Sequence, residues 1–169
     1  MTSHNYDVAI VGGGAAGLSA ALVLARSRRR VVVLDAGSPR NAPAAHMHNF
    51  LSRDGTPPAE LLAVGRAEVL GYGAEIVSAT VAGVEATPTG FGVTLDGGSS
   101  VAARRLLIAT GLTDELPPVP GVRERWGRDV LHCPYCHGYE VRDQALGVLG
   151  TGPRSVHQAL LVRQLSPDV

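Results

Sequence analysis

Residues 8–21 read "VAIVGGGAAGLSAA": an apolar, β-branched run, three glycines in a row, a fourth glycine at 17, and then an alanine-rich stretch. A short apolar run bounded by glycine predicts a buried strand, and the Ala and Leu that continue to Ala25 favour a helix. "VVVLDAG" at residues 31–37 is a second strand, ending in Asp35. Strand, glycine turn, helix and strand in about thirty residues make a βαβ unit. The spacing Gly12-x-Gly14-x-x-Gly17 gives each glycine a physical task. Gly12 permits a tight turn, Gly14 lets the backbone approach a pyrophosphate, and Gly17 lets helix and strand pack closely. The helix N-terminus offers free N–H groups and partial positive charge to phosphates. Asp35, followed by Ala36, stands where a ribose diol would be held. The competing reading is a glycine turn with no ligand and an ordinary surface Asp. The flanking strand, the helix and the acid about twenty residues on favour a dinucleotide site over it. The motif does not by itself separate FAD from NAD.

Composition bounds the remaining choices. The chain has 169 residues, enough for one domain and the start of another, with 45% hydrophobic and 18% charged residues. Fifteen basic residues balance fifteen acidic ones, which argues against nucleic acid or an anionic membrane as the main partner. The one dense basic run, "RSRRR" at 26–30, falls where the first helix should end, and cations there favour the helix dipole. No apolar run reaches the roughly 18 residues that a membrane span needs. The first residues lack a basic n-region and a small-residue cleavage site, so a cytoplasmic protein is expected.

Further along, "SPRNAPAAHMHNFLSRDGTPP" at 38–58 has no period, and a loop of this length is usually functional or disordered. Pro58 can open a helix through residues 59–73. The chain then turns to β over 74–87, 90–98 and 100–111, with Gly97-Gly98 as a hairpin signal. "ELPPVPG" at 115–121 is a stiff crossover between domains. Residues 145–165 repeat the order strand, glycine turn, helix. Gly12, Gly14, Gly17 and Ala21 are matched at a constant offset by Gly150, Gly152, Ser155 and Ala159. The expected organisation is a Rossmann-like α/β domain over 1–116, a βαβ unit with an added β-meander, and the start of a second Rossmann-like domain over 117–169.

The only two cysteines, Cys133 and Cys136, lie in "HCPYCHG" at 132–138. A zinc site needs four ligands, usually as two separated pairs, and here every candidate sits in one hexapeptide. C-x-x-C-H is also the pattern of c-type haem attachment, which needs export and an axial partner. A bland buried pair is a further alternative. A redox disulfide explains more. Two intervening residues let a helix N-terminus hold both sulfurs, and such a terminus lowers a thiol pKa, which raises the attacking thiolate. Pro134 suits an early helical position, and His137 can exchange a proton near neutral pH. His132 reads as a strand-end histidine.

Taken together, "VAIVGGGAAGLSAA", "LLIATG" at 106–111, "HCPYCHGYEVRDQ" at 132–144 and "LGVLGTGPRSVHQA" at 146–159 resemble the thioredoxin-reductase-like flavoprotein disulfide oxidoreductases. The resemblance covers almost the whole chain. It implies an FAD-binding domain interrupted by a nicotinamide-binding insert, with the redox C-x-x-C near the start of the insert. It implies FAD held by Gly12, Gly14, Gly17, Asp35 and Ala36, with Ala109, Thr110 and Gly111 lining the flavin nucleotide. Asn49, with His46 and His48, would belong to a loop that approaches the flavin, one histidine serving as a second acid/base or packing the loop. Cys136 would be the flavin-proximal sulfur and Cys133 the thiol that exchanges with substrate. Gly150, Gly152 and Ser155 would begin an NAD(P)H site. The implied partner is a thiol or disulfide, protein or small molecule, and homodimers are the family habit.

Two departures from the family pattern stand out. Thioredoxin reductases carry Asp directly after the second cysteine, and this chain carries His137. That histidine is similar to the branch of dithiol oxidases that close disulfides in small molecules and pass electrons to oxygen. The second departure is length, about half that of two-domain members. A fragment is therefore expected, with weak FAD binding by itself and with the exposed edge and exposed apolar face of half a doubly wound sheet. A non-catalytic nucleotide-binding redox module remains an alternative of another class.

Overall fold

Val31, Val32, Val33 and Leu34 are all buried, so the strand they form must be covered on both faces. In the computed structural model, which describes residues 6–169, this strand is β2 (Val31–Asp35), parallel to β1 (Tyr6–Val11) with Ile10 opposite Val33 and Val11 opposite Leu34. Alternate side chains point to opposite faces of a strand. Ile10, Val31 and Val33 meet Leu18, Ala21 and Ala25 of helix α1 (Ala15–Arg26) and Leu62 and Val69 of helix α2 (Pro58–Gly71). Ala9, Val32 and Leu34 meet Val93, Leu95 and Ala103 on the other face.

Those last three residues come from a meander. Strands β3 (Glu75–Ser78), β4 (Val81–Thr87), β5 (Gly90–Leu95) and β6 (Ser100–Ile108) join β1 and β2 in one mixed sheet, ordered β3-β2-β1-β6-β5-β4. The nine-residue β6 is the joint. Its first part runs antiparallel to β5, with Ser100 opposite Thr94, and the part from Ala103 onward runs parallel to β1, ending with Ile108 opposite Val11. Contacts of Val93, Leu95 and Ala103 with Ala9, Val32 and Leu34 bury the inner part of the face away from the helices. The exposed apolar surface that was expected is present elsewhere, at Ile108 on the end of β6 and at Val156 and Leu160 within residues 145–165.

The β-rich stretch at 74–87 is two strands. β3 extends the parallel edge beside β2, and β4 lies at the opposite end of the sheet, paired with β5. The Gly97-Gly98 signal holds: both glycines have positive φ, and Leu95 and Ser99 close the hairpin through a 2.9 Å bond. This first unit comprises residues 1–42 and 59–113, described from Tyr6 onward.

The second unit comprises residues 43–58 and 114–169, so the long loop of the sequence belongs with the cysteine segment. It contains three helices, α3 (Val122–Arg125), α4 (Pro134–His137) and α5 (Arg154–Val162). Ser166, 2% exposed, ties its end together: its hydroxyl donates to the Gln144 carbonyl and accepts from the Asp168 N–H. The strand expected over 145–150 does not form among the described residues. A strand is made by a ladder, and this segment shows a single bond, Leu146 N–H to the Asp168 carbonyl. No helix among the described residues is long and apolar enough to cross a membrane.

Gly17 supplies the sharpest test of this packing. A Cβ there would fall on the Gly12 carbonyl oxygen. Helix propensity alone would favour alanine by about 1 kcal/mol. Gly17→Ala is nonetheless expected to destabilise the protein by about 1–3 kcal/mol, because backbone cannot yield as a side chain can. Urea unfolding measures this, and an unchanged or raised midpoint would contradict the close packing.

Candidate functional site

The turn between β1 and α1 is built by three glycines with different surroundings. A Cβ on Gly12, where φ is +105°, would collide with the Ala109 carbonyl. A Cβ on Gly13 would lie 2.6 Å from the Asp35 carboxyl carbon, whereas one on Gly14 would meet nothing within 4 Å. The turn is thus closed toward the protein at Gly12 and Gly13 and open at Gly14. Helix α1 starts immediately after it, with no side chain capping its N-terminus and no acid in its first turn. Free N–H groups at an uncapped terminus are a ready anion site. A pyrophosphate fits this cradle, since the missing side chain at Gly14 is the one that would stand in its way.

The end of β6 completes this corner. Ala109 donates its N–H to the Val11 carbonyl at 2.8 Å, so Ala109, Thr110 and Gly111 leave the sheet beside Gly12. The first unit therefore brings together Gly12, Gly14, Gly17, Asp35, Ala36 and Ala109, as the two motifs imply. It also brings two residues that sequence reasoning missed. The Gly13 N–H donates to Asp35 Oδ1 at 3.1 Å, and Arg66 Nη2 donates to Asp35 Oδ2 at 2.5 Å. Arg66 was findable: with Leu62 and Val69 it lies on the inward stripe of α2, where a cation needs a partner. A carboxylate offers about four acceptor positions, so Asp35 keeps capacity for a ribose diol.

In the second unit Cys133 and Cys136 are joined by a disulfide, with Cα atoms 5.3 Å apart. Pro134 opens α4, and Cys133 is its N-cap residue. The expected helix N-terminus is there, but the helix is only four residues long, so it aligns few peptide dipoles behind the sulfurs. His137 is its last residue and is half-buried, whereas His132 is exposed.

The loop at 43–58 folds on itself and meets this segment. Met47 and Thr56 exchange a 3.0 Å backbone bond, Gly55 returns one to Met47, and His46 Nδ1 lies 3.0 Å from the Gly55 carbonyl. His46 is thus occupied in packing the loop. His48 stands between two carboxylates, with Nδ1 3.4 Å from Asp54 and Nε2 3.5 Å from Glu140. Asn49 has φ +65°, gives its N–H to Asp54 at 2.9 Å, and gives its side-chain amide to the Tyr135 carbonyl at 2.6 Å. The Asn49 N–H and then His48 hold the Asp54 carboxyl below its ordinary range.

At the second glycine turn, Ser155 departs from the first motif in chemistry as well as in letter. Its hydroxyl accepts from the N–H groups of Thr151 at 3.0 Å and Gly152 at 3.3 Å. Gly17, at the matching position, has no such group.

Partial burial pushes the Asp35 carboxyl up. Hydrogen bonds from Gly13, Arg66 and Gly37 outweigh it and bring its pKa below the ordinary 3.8. A carboxyl lowered by folding adds stability that is complete above its unfolded pKa and is lost as pH falls through the folded one. On acidification from about pH 5 to about pH 2 the wild type should lose stability more steeply than Asp35→Asn. Urea midpoints across that range read the difference, and parallel slopes would contradict the assigned bonds.

Comparison with known proteins agrees with this geometry. The profile of the family described as Pyridine nucleotide-disulphide oxidoreductase matches residues 6–169. The chain is 38% identical over 160 residues to "Thioredoxin reductase tcpT" of Claviceps purpurea (strain 20.1), covering 90% of this chain and 49% of that protein. Among solved structures, HlmI superposes with a TM-score of 0.94 at 62% identity, over 96% of this chain and 52% of that one. An oxidoreductase from Agrobacterium tumefaciens superposes with a TM-score of 0.92 at 44% identity, over 95% of this chain and 55% of that one. The chain spans about half the length of the proteins it matches. This chain belongs to the pyridine nucleotide-disulphide oxidoreductase family and is thioredoxin-reductase-like within it.

Proposed function

We propose that this chain carries the flavin-binding and disulfide-bearing parts of an FAD-dependent thiol/disulfide oxidoreductase. The observation that carries the reading is the Cys133–Cys136 disulfide, formed by the only cysteines of a chain that also holds an open, uncapped phosphate cradle. The family uses FAD and NAD(P)H, and the cradle supports FAD as the group held at Gly12, Gly14, Gly17 and Asp35. Bound there, FAD would supply two-electron transfer between a nicotinamide and a disulfide.

The chain's own residues would divide the work as follows. The uncapped α1 terminus binds the pyrophosphate, and Asp35, steadied by Arg66, accepts from the ribose diol. Ala109, Thr110 and Gly111 would line the nucleotide, and Asn49 braces its own loop through the bond of its N–H to Asp54. By the family resemblance, Cys136 would be the sulfur that exchanges electrons with a bound flavin. Once the disulfide is reduced, the Cys133 thiolate attacks an external disulfide: one S–S bond breaks, a mixed disulfide forms, and the leaving thiolate takes a proton. Cys136 then displaces the second substrate thiolate and restores the Cys133–Cys136 bond. His137, which follows Cys136 and ends α4, gives and takes these protons. Residues 1–116 form the FAD-binding portion, and 117–169 begin the NAD(P)-binding one.

A second reading reverses the flow. A small-molecule dithiol would exchange with the Cys133–Cys136 disulfide and leave as a disulfide, and a flavin held at the cradle would supply the route for the two electrons to oxygen. The Ser155 hydroxyl favours it, because it already takes the Thr151 and Gly152 N–H donors that a nicotinamide pyrophosphate would use at this turn. His137 in place of Asp points the same way.

Gly14→Val should cost the fold only about 1 kcal/mol, the loss of a glycine at the N-cap of α1 with no clash added, yet weaken FAD binding at least tenfold by fluorescence titration of the folded variant. Unchanged FAD affinity would remove the cradle from the account. Electrode measurement of oxygen with a dithiol and no nicotinamide decides between the readings. Consumption that stops in Cys136→Ser supports the oxidase, and none without NAD(P)H supports the reductase.

A further inference from the structure

The four-residue α4 ends inside the redox hexapeptide, so its last carbonyls have no helical partner of their own. Within it, Cys136 N–H bonds the Cys133 carbonyl at 3.2 Å and Gly138 N–H bonds the Pro134 carbonyl at 2.8 Å. The Tyr135 carbonyl, placed between the two sulfurs along the chain, is taken by the side-chain amide of Asn49 at 2.6 Å, from 86 residues away. Such terminal carbonyls are satisfied by side chains, water or tightened turns. Here the side chain comes from another segment of the chain.

The donor is itself held. Asn49 sits at φ +65°, a conformation asparagine tolerates better than most residues, and its N–H bonds Asp54. The backbone bonds between Met47 and both Gly55 and Thr56 close the loop behind it. Two further contacts fix the loop to the same unit: His48 Nε2 faces Glu140 at 3.5 Å, and Pro43 packs where a side chain on Gly127 would be, 2.7 Å from its Cβ position. The loop therefore reaches the turn as a braced element.

From this we infer that Asn49 is a positioning residue for the Cys133–Cys136 couple, acting as a cap in trans that keeps the turn in its disulfide-closing shape. The inference rests on the reading of the pair as redox-active and names what tunes it. When the disulfide is reduced, two electrons and two protons enter, the S–S bond is lost, and only the turn itself keeps the sulfurs close. A donor on the Tyr135 carbonyl restricts that turn, so the two thiols stay at high effective concentration and reclosure is favoured. Without the donor the carbonyl turns to water, the dithiol gains freedom, and reduction becomes easier.

The test uses the whole 169-residue chain, equilibrated with mixtures of reduced and oxidised dithiothreitol, with free thiols alkylated and counted by mass. In this exchange one disulfide breaks as another forms, so no outside oxidant is needed. Asn49→Gly keeps the left-handed backbone and deletes only the amide. Asn49→Asp keeps size and turn preference but presents oxygens that cannot donate, and it serves should the glycine loosen the loop. Both variants, with wild-type circular dichroism, should shift the exchange constant toward the dithiol by about three- to tenfold, the effect of one hydrogen bond. Tenfold corresponds to about 30 mV for two electrons. Folded variants that stay within twofold of wild type would overturn the role of Asn49, as would a shift in Asn49→Asp with none in Asn49→Gly. A wild-type disulfide that does not exchange at any ratio would overturn the redox reading itself, and this inference with it.

Discussion

The Ala109 carbonyl occupies the space that any side chain on Gly12 would need, and the first unit is arranged around that approach. It sets the ends of β1 and β6 side by side, so two sequence motifs nearly a hundred residues apart share one corner. It also forces the tight turn that launches α1 with its N-terminus uncapped. Packing of Gly17 on the Gly12 carbonyl then fixes the helix against the sheet, and the Gly13 N–H pins Asp35 at the end of β2. Cradle and carboxylate are thus consequences of one backbone contact.

Much of this was legible because glycine spacing and hydrophobic runs act locally. The βαβ unit, Pro58 at the start of α2 and the Gly97-Gly98 hairpin follow from short-range chemistry. What was illegible depended on partners distant in sequence. Nothing within residues 74–87 says that β3 and β4 go to opposite ends of the sheet. That division comes from the bend of β6, which serves β5 with one half and β1 with the other. The meander also buries Ala9, Val32 and Leu34, while Ile108, Val156 and Leu160 keep the exposed apolar surface that half a doubly wound sheet leads one to expect. The segment 145–150 has the composition of a strand, but a strand also needs a ladder, and a single backbone bond does not make one.

The candidate site divides along the same line. Gly12, Gly14, Gly17, Asp35, Cys133 and Cys136 announce themselves by type and spacing. Arg66 does not, because its meaning lies in facing Asp35 from another helix. Asn49 was expected beside a flavin from the family resemblance, and its bond to the Tyr135 carbonyl, which no local pattern announces, gives its loop a further physical task. His48 and Asn49 differ from His46 in the same way: they reach the cysteine segment, while His46 stays within the loop. The C-x-x-C turn is accordingly a four-residue helix braced from outside, by the Asn49 amide on the Tyr135 carbonyl.

The central claim is that the Cys133–Cys136 pair and a bound flavin form one electron-transfer couple. The direct measurement is the visible spectrum of the chain with FAD, held anaerobic, before and after adding a dithiol. The account predicts a bound flavin that bleaches on reduction and no longer responds to the dithiol in Cys136→Ser. A bound flavin that bleaches equally in Cys136→Ser, or one that ignores the dithiol in the wild type, would contradict it.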